Sequence, residues 1–298
     1  MCEKMMVRGL LAVAFVAASM LAGTAMANIY VSNSLSGTIG EYTNSGEVVN
    51  ASLISGLTNP HGIAVSGSYL FVANAGSGII GEYTTSGEVV NASLITGLTD
   101  PIGLAVSGSN LFVSNYVYSG GPTGTIGEYT TSGAVVNASL VTGLSGASGI
   151  AVSGSNLFVA NYNGGTVGEY TTSGAVVNAS FVSTSYPSGI AVSGSDLYVL
   201  ANQYVTKYDS TGALEAPAFF VGNCEDIALY GSDLYVTNLN RNSVDEFTTS
   251  GAVLNSPLIV GLNDPSGIAV TKGVPEPSSL LLLGIAAASL LACVWRRR

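Results

Sequence analysis

Reactive side chains are scarce in this chain. Its 298 residues include one histidine and three cysteines. A lone histidine leaves no pair for His-based zinc chemistry. Cys2 and Cys293 sit at the two extremes, so Cys224 is alone in the interior and no disulfide can staple the central region. Charge is thin as well, at 9 % of residues. Positive charge is thinner still. Between residues 28 and 273 only Lys207, Arg241 and Lys272 stand against 16 acidic residues, an excess of 13 negative charges. Such a surface repels DNA, RNA and anionic lipid, so nucleic acid is excluded as a partner. No glycine-rich phosphate loop precedes a helix, and no nucleophile elbow appears, so no cofactor is expected. Sustained helical periodicity is missing outside the two ends.

What the chain does have is repetition. The stretch Gly62-Ile-Ala-Val-Ser-Gly-Ser-Tyr-Leu-Phe-Val-Ala-Asn74 returns throughout, its first residue recurring as Gly103, Gly149, Gly189, Asp226 and Gly267. The steps are 41, 46, 40, 37 and 41 residues. A period near 40 built of short apolar segments predicts propeller blades. Each unit reads as four strands. In the second, Ile63–Val65 leads through a Ser66-Gly67 turn to Leu70–Val72, then to Ile79–Tyr83 and Val89–Ile95. Gly97-Leu98 and Asp100-Pro101 punctuate the passage to the next unit.

The ends of the array set the blade count. Asn28–Asn33 matches a second strand without its first, whereas Pro265–Lys272 matches a first strand without the other three. Joined, the fragments make one blade. The expectation is an all-β, six-bladed propeller of about 24 strands over residues 28–273, closed by a blade shared between the N- and C-terminal strands. Such closure hides two strand edges.

Both flanks read as addresses. Residues 1–27 have a basic start (Lys4, Arg8), an apolar run from Leu10 to Leu21 and a small-residue cleavage site at Ala25-Met-Ala27, the pattern of a secretory signal helix. At the other end, Val274-Pro275-Glu276-Pro277 precedes an apolar stretch and Arg296-Arg297-Arg298. The sixteen residues Leu280–Trp295 make a helix of roughly 24 Å, which Ser278 and Ser279 lengthen into a transmembrane segment over 278–295. The arginines hold the C-terminus in the cytoplasm. Motif, helix and basic tail together resemble the PEP-CTERM sorting signal of Gram-negative bacteria, which would occupy residues 274–298. The resemblance implies export, transient anchoring in the inner membrane, and recognition and cleavage by an exosortase. It also implies an association with exopolysaccharide and biofilm. The repeats, through Pro-x-Gly-Ile-Ala-Val and Leu-Phe/Tyr-Val-Ala/Thr-Asn, resemble NHL-type or related six-bladed propellers, a packing signature that carries no chemistry of its own.

Candidate site residues are few. His61 precedes the first strand of its blade, where other blades hold Ile102, Ser148, Ser188, Glu225 and Ser266. First strands line the tunnel of a propeller, so these residues should ring one mouth. His61, Glu225 and Asp226 are the tunnel-mouth candidates for a ligand or metal, although the composite blade separates His61 from Glu225. Asp226 also replaces a glycine found in every other copy. A second ring comes from the third strands: Glu41, Glu82, Glu128, Glu169, Lys207 and Glu246, each followed by an aromatic. The asparagines that close the second strands read as turn residues. Asn-Ala-Ser, at Asn50, Asn91, Asn137 and Asn178, satisfies the eukaryotic glycosylation pattern, but with a tail that suggests a bacterium the match reads as chance amplified by repetition. The one insertion, Tyr116–Thr125, is the place for a lid or partner loop. The resulting expectation is an exported surface or matrix module, structural or recognising exopolysaccharide or another surface protein, and not an enzyme. The rival is a metal-dependent hydrolase or lyase at the tunnel mouth.

Overall fold

The computed structural model describes residues 27–117 and 121–271. Its 24 strands form six four-stranded antiparallel sheets. Blade 1 is the composite one. Its innermost strand is Pro265–Val270, followed outward by Asn28–Asn33, Thr38–Thr43 and Val48–Ile54. The pairing runs Ile29 to Val270, Tyr30 to Ala269, Val31 to Ile268 and Ser32 to Gly267, as the complementary ends require. The innermost strands of blades 2 to 6 are Pro60–Ser66, Pro101–Ser107, Ala147–Ser153, Pro187–Ser193 and Cys224–Tyr230. Each packs against the next, and Pro265–Val270 packs against both Cys224–Tyr230 and Pro60–Ser66, which closes the ring. Every blade is complete by Val270, and residues 29–270 form one compact unit. Next to its ends, the Thr271 amide donates to the Asn28 carbonyl at 2.9 Å.

Apolar residues on facing blades make six cores, one per seam. Between blades 2 and 3, Phe71, Ile80 and Ile95 pack against Leu104, Leu111 and Tyr129. Fully burying a side chain of this size contributes about 1.5–3 kcal/mol, so each seam holds several such terms. The repeated Gly-Glu-Tyr of the third strand has a packing cause. Glycine and tyrosine lie two residues apart on one face, and the ring folds back over the glycine: a Cβ on Gly81 would meet the Tyr83 hydroxyl at 2.7 Å.

The recurring glycine of the innermost strand is demanded by the tunnel. A Cβ on Gly62, Gly103 or Gly149 would collide with the carbonyl oxygen of Ile102, Ser148 or Ser188 on the next blade. Hydroxyls then rivet these strands together. Ser266 Oγ donates to Pro60 O at 2.8 Å, Ser114 Oγ to Ser148 O at 2.6 Å, and Ser148 Oγ to Ser188 O at 3.1 Å.

One expectation about asparagine changes. Those closing the second strand do not occupy the left-handed region; Asn74 has φ −94°. They are buried and tie neighbouring strands, as where Asn161 Nδ2 donates to Thr166 Oγ1 at 3.3 Å. The asparagine of each Asn-Ala-Ser repeat makes a local backbone contact. Asn50, Asn91 and Asn137 Oδ1 each accept the amide two residues on at 3.1 Å, and Asn178 does so at 3.0 Å. These motifs sit where the outer strand bulges, and each occupies a donor on an open sheet edge. Among the described residues no helix is long and apolar enough to cross a membrane. The expected signal helix, with Ala25, and the C-terminal span, with Val274, Pro275, Glu276 and Pro277, lie outside the described residues. Ala27 lies within them and is buried.

Candidate functional site at the tunnel mouth

Inner strands begin, and second strands end, on one face of the ring. There the tunnel opens through a polar ring of His61, Ile102, Ser148, Ser188, Glu225 and Ser266. Below it lie the glycines and Asp226, then aliphatic residues including Ile63, Leu104 and Ile150. The enclosed volume is about 40 Å³. That is room for a few waters at most, since one needs roughly 10–15 Å³ on the same measure.

All three candidates from the sequence face this cavity, His61 and Glu225 included, although the composite blade stands between them. Their environments differ. Asp226 is a fastener: its Oδ1 accepts the Ile227 amide at 2.9 Å and its Oδ2 the Ile268 amide at 3.1 Å. Burial pushes its carboxyl up to about 6, against the pull of those two amides. Glu225 is pushed up to about 7 by burial, then by the charges of Asp226 and Asp264. His61 is lowered by burial and raised in part by Asp264, and its buried Nδ1 has no partner among the described residues. Among those residues no three His, Cys, Asp or Glu side chains come together as a metal ion would require.

A tyrosine wall stands beside the mouth. The Tyr116 and Tyr162 rings are 6.5 Å apart edge to face, and Tyr162 and Tyr186 lie 5.3 Å apart at 48°. Asn163 Nδ2 donates to Tyr116 Oη at 3.2 Å. Burial raises the Tyr162 hydroxyl, and the Glu225 charge raises it further, linking wall and mouth electrostatically. Tyr186 is 55 % exposed at φ +53°. Asn59, Asp100 and Asp264 hold the equivalent place, immediately before the innermost strand, at φ 50°, 46° and 59°. Asn and Asp tolerate that conformation, whereas a bulky aromatic is strained in it.

Tyr162 and Tyr186 escaped the sequence reading. The available signal was their departure from the repeat, since Ser34 and Ala75 stand where Tyr162 does, and Asn59 and Asp100 where Tyr186 does. In the insertion, Tyr118 and Gly120 lie outside the described residues. Cys224 Sγ bonds Val221 O at 3.3 Å, and burial pushes its thiol up to about 12. The third-strand ring does not converge. Glu128 and Glu169 each accept from an asparagine of their own blade at 2.7 Å. Lys207 pairs with Asp196 at 2.8 Å and Glu215 at 2.6 Å.

Comparison with known proteins bears on both address and fold. Residues 273–298 match the PEP-CTERM protein-sorting motif. That motif implies an exported protein with a membrane-anchored precursor, processed by an exosortase. No curated protein matches the chain. Among solved structures, a chain of a nidogen/laminin complex is similar with TM-score 0.69 and 14 % identity, covering 83 % of this chain and 99 % of that one. A functionally unknown protein from Desulfotomaculum acetoxidans DSM 771 follows with TM-score 0.62 and 17 % identity, over 83 % and 99 % of the two chains. At these identities the likeness is one of fold alone.

Proposed function

We propose that this protein is an exported propeller that acts, after exosortase processing, at the cell surface or in the extracellular matrix as a non-catalytic recognition module for exopolysaccharide. The observation that carries this reading is the tyrosine wall beside a nearly filled tunnel. A cavity of about 40 Å³ is far below the roughly 300–1,000 Å³ of pockets that enclose small molecules. The exposed face of Tyr186, held in a strained conformation, and the neighbouring Tyr162 offer instead a stacking surface open to a long chain. The sorting motif adds the address, where long polysaccharides are found.

Pull-down of the 28–273 fragment with exopolysaccharide from the producing bacterium tests the reading. Retention by the native surface and at least a several-fold loss in Tyr162→Ala/Tyr186→Ala is the expected result. Equal retention of both forms, or of neither, would overturn it. A second reading, a metal-dependent hydrolase or lyase, draws on the Glu225 carboxyl poised near 7 in the same cavity as His61. Elemental analysis of the purified propeller separates the two, since the second requires a stoichiometric divalent ion.

A further inference from the structure

On the face opposite the tunnel mouth, the carboxylates of the third strands meet a rule that one blade breaks. In blade 1, Tyr30 Oη donates to Glu41 Oε1 at 3.2 Å. In blades 3 and 4, Asn110 and Asn156 donate to Glu128 and Glu169, each at 2.7 Å. In blade 6, Asn255 donates to Glu246 at 2.6 Å. Each donor comes from the residue facing the glutamate across the ladder, or from one near it on the same blade.

Blade 2 lacks two of these three kinds of donor, and the third, Asn91, stands opposite Glu82 as Asn255 does opposite Glu246 but makes no bond to it. Phe71 faces Glu82, so there is no hydroxyl where Tyr30 has one. Tyr69 stands where Asn110 and Asn156 stand, so there is no amide either. Among the described residues no donor reaches the Glu82 carboxylate, and burial alone raises its pKa. Glu82 faces a groove of about 540 Å³ between blades 2 and 3. Ser66, Ser68, Tyr69, Thr131 and Ser132 line it, from one hairpin of each blade, and Tyr69 is 42 % exposed.

We propose that this groove binds a neutral sugar ring, whose hydroxyls donate to Glu82 and whose face stacks on Tyr69. A half-exposed carboxylate that takes no donor from its own blade is left to water, and ligand hydroxyls can take the place of that water with charge-assisted bonds of their own. Two vicinal hydroxyls supply such bonds. The hydroxyls of Ser68, Thr131 and Ser132 serve as both donors and acceptors, which suits a polyol. The excess of acidic residues argues against an acidic sugar, whose carboxylate would face Glu82 directly. The volume accommodates one or two pyranose rings. This site depends on the proposed function only for the identity of its natural polymer. With the mouth on the other face, it would let one propeller hold two chains.

The test is a titration of the isotope-labelled 28–273 fragment with cellotetraose, maltotetraose and tetragalacturonate, followed by amide chemical shifts. Saturable shifts at Ser68, Thr131 and Ser132 with a neutral tetrasaccharide, and none with tetragalacturonate, are expected. Tyr69→Asn restores the donor of blades 3 and 4, and Phe71→Tyr the donor of blade 1. Both use residues that the repeat already accepts, so the fold is kept. Each should weaken binding about tenfold or more, as should Glu82→Gln: Phe71→Tyr and Glu82→Gln because the carboxylate is then satisfied internally or gone, and Tyr69→Asn because it also removes the stacking face. No neutral sugar at these amides, or affinity unchanged within about twofold in Tyr69→Asn, would overturn the proposal. Shifts confined to Gly146 and Asn163 would place the sugar at the mouth, sinking the groove while leaving the proposed function standing.

Discussion

The Asp226 carboxylate accepts the main-chain amide of Ile268 at 3.1 Å, binding the innermost strand of blade 6 to that of the composite blade across 42 residues of sequence. Five blades place glycine where this aspartate sits. The exception falls at the seam where the last segment of the chain must dock to complete the ring. There a charge-assisted hydrogen bond adds to the packing.

Removing that bond should loosen the closure. Asp226→Ala leaves the Ile227 and Ile268 amides without their acceptor, so a loss of about 1.5–3 kcal/mol is expected, with Asp226→Asn losing less. Urea unfolding of the 28–273 fragment measures both. An alanine variant as stable as the native protein would show that the carboxylate fastens nothing.

The pH dependence follows from the same residues. Asp226 and Glu225 titrate at about 6 and about 7 in the folded state, above their ordinary values of 3.8 and 4.5. A raised acid binds protons more tightly folded than unfolded. Its contribution is therefore fully present below the unfolded value and is lost as pH rises through the folded one. Stability should fall between about pH 4 and pH 8, and the fall should flatten in Glu225→Gln/Asp226→Asn. Thermal melts across that range would read the slope, and a rise over the same interval would contradict it.

Innermost glycines should not be equivalent. A Cβ at position 149 collides with the Ser188 carbonyl, whereas at position 189 its nearest neighbours, an Asp226 oxygen among them, are 3.1 Å away. Gly149→Ala should cost at least about 2 kcal/mol, near the upper range for overpacking, and Gly189→Ala clearly less. Equal midpoints in denaturant would mean that the tunnel yields uniformly.

Strain at Tyr186 should trade against recognition. Tyr186→Asn places a tolerant residue at φ +53° and should stabilise the fold by about 1 kcal/mol while reducing polysaccharide retention. Calorimetry and pull-down read the two effects. A variant that is both less stable and fully retained would refute the trade.

Cys224 should be inert while the ring is folded. Its thiol, pushed up to about 12, holds almost no thiolate at pH 8, so modification by a thiol reagent should track global unfolding. Rapid labelling in native buffer would show that the blade opens locally.

How much could be read in advance depended on how local each feature is. The blade count, the shared first blade and the sorting tail are written in motifs and periods, and an incomplete copy at each end already states how the circle must close. Strand alternation and the Ser-Gly turns need only neighbours along the chain. The tunnel-mouth trio was also legible, because a departure from a repeat is visible without coordinates. That His61 and Glu225 would face one cavity across the composite blade was not, since convergence depends on the tunnel's width.

The periodic pattern of apolar and turn residues was sufficient for architecture and address, because both rest on contacts within one unit or on a contiguous signal. Contacts between units fall outside that reach. Only the folded ring set the glycines under their neighbours' carbonyls, gathered Tyr116, Tyr162 and Tyr186 into a wall, and left Glu82 alone among its counterparts. A hydrogen bond or a ring contact is decided over 3–6 Å in space, and residues tens of positions apart reach that range only after the blades have packed.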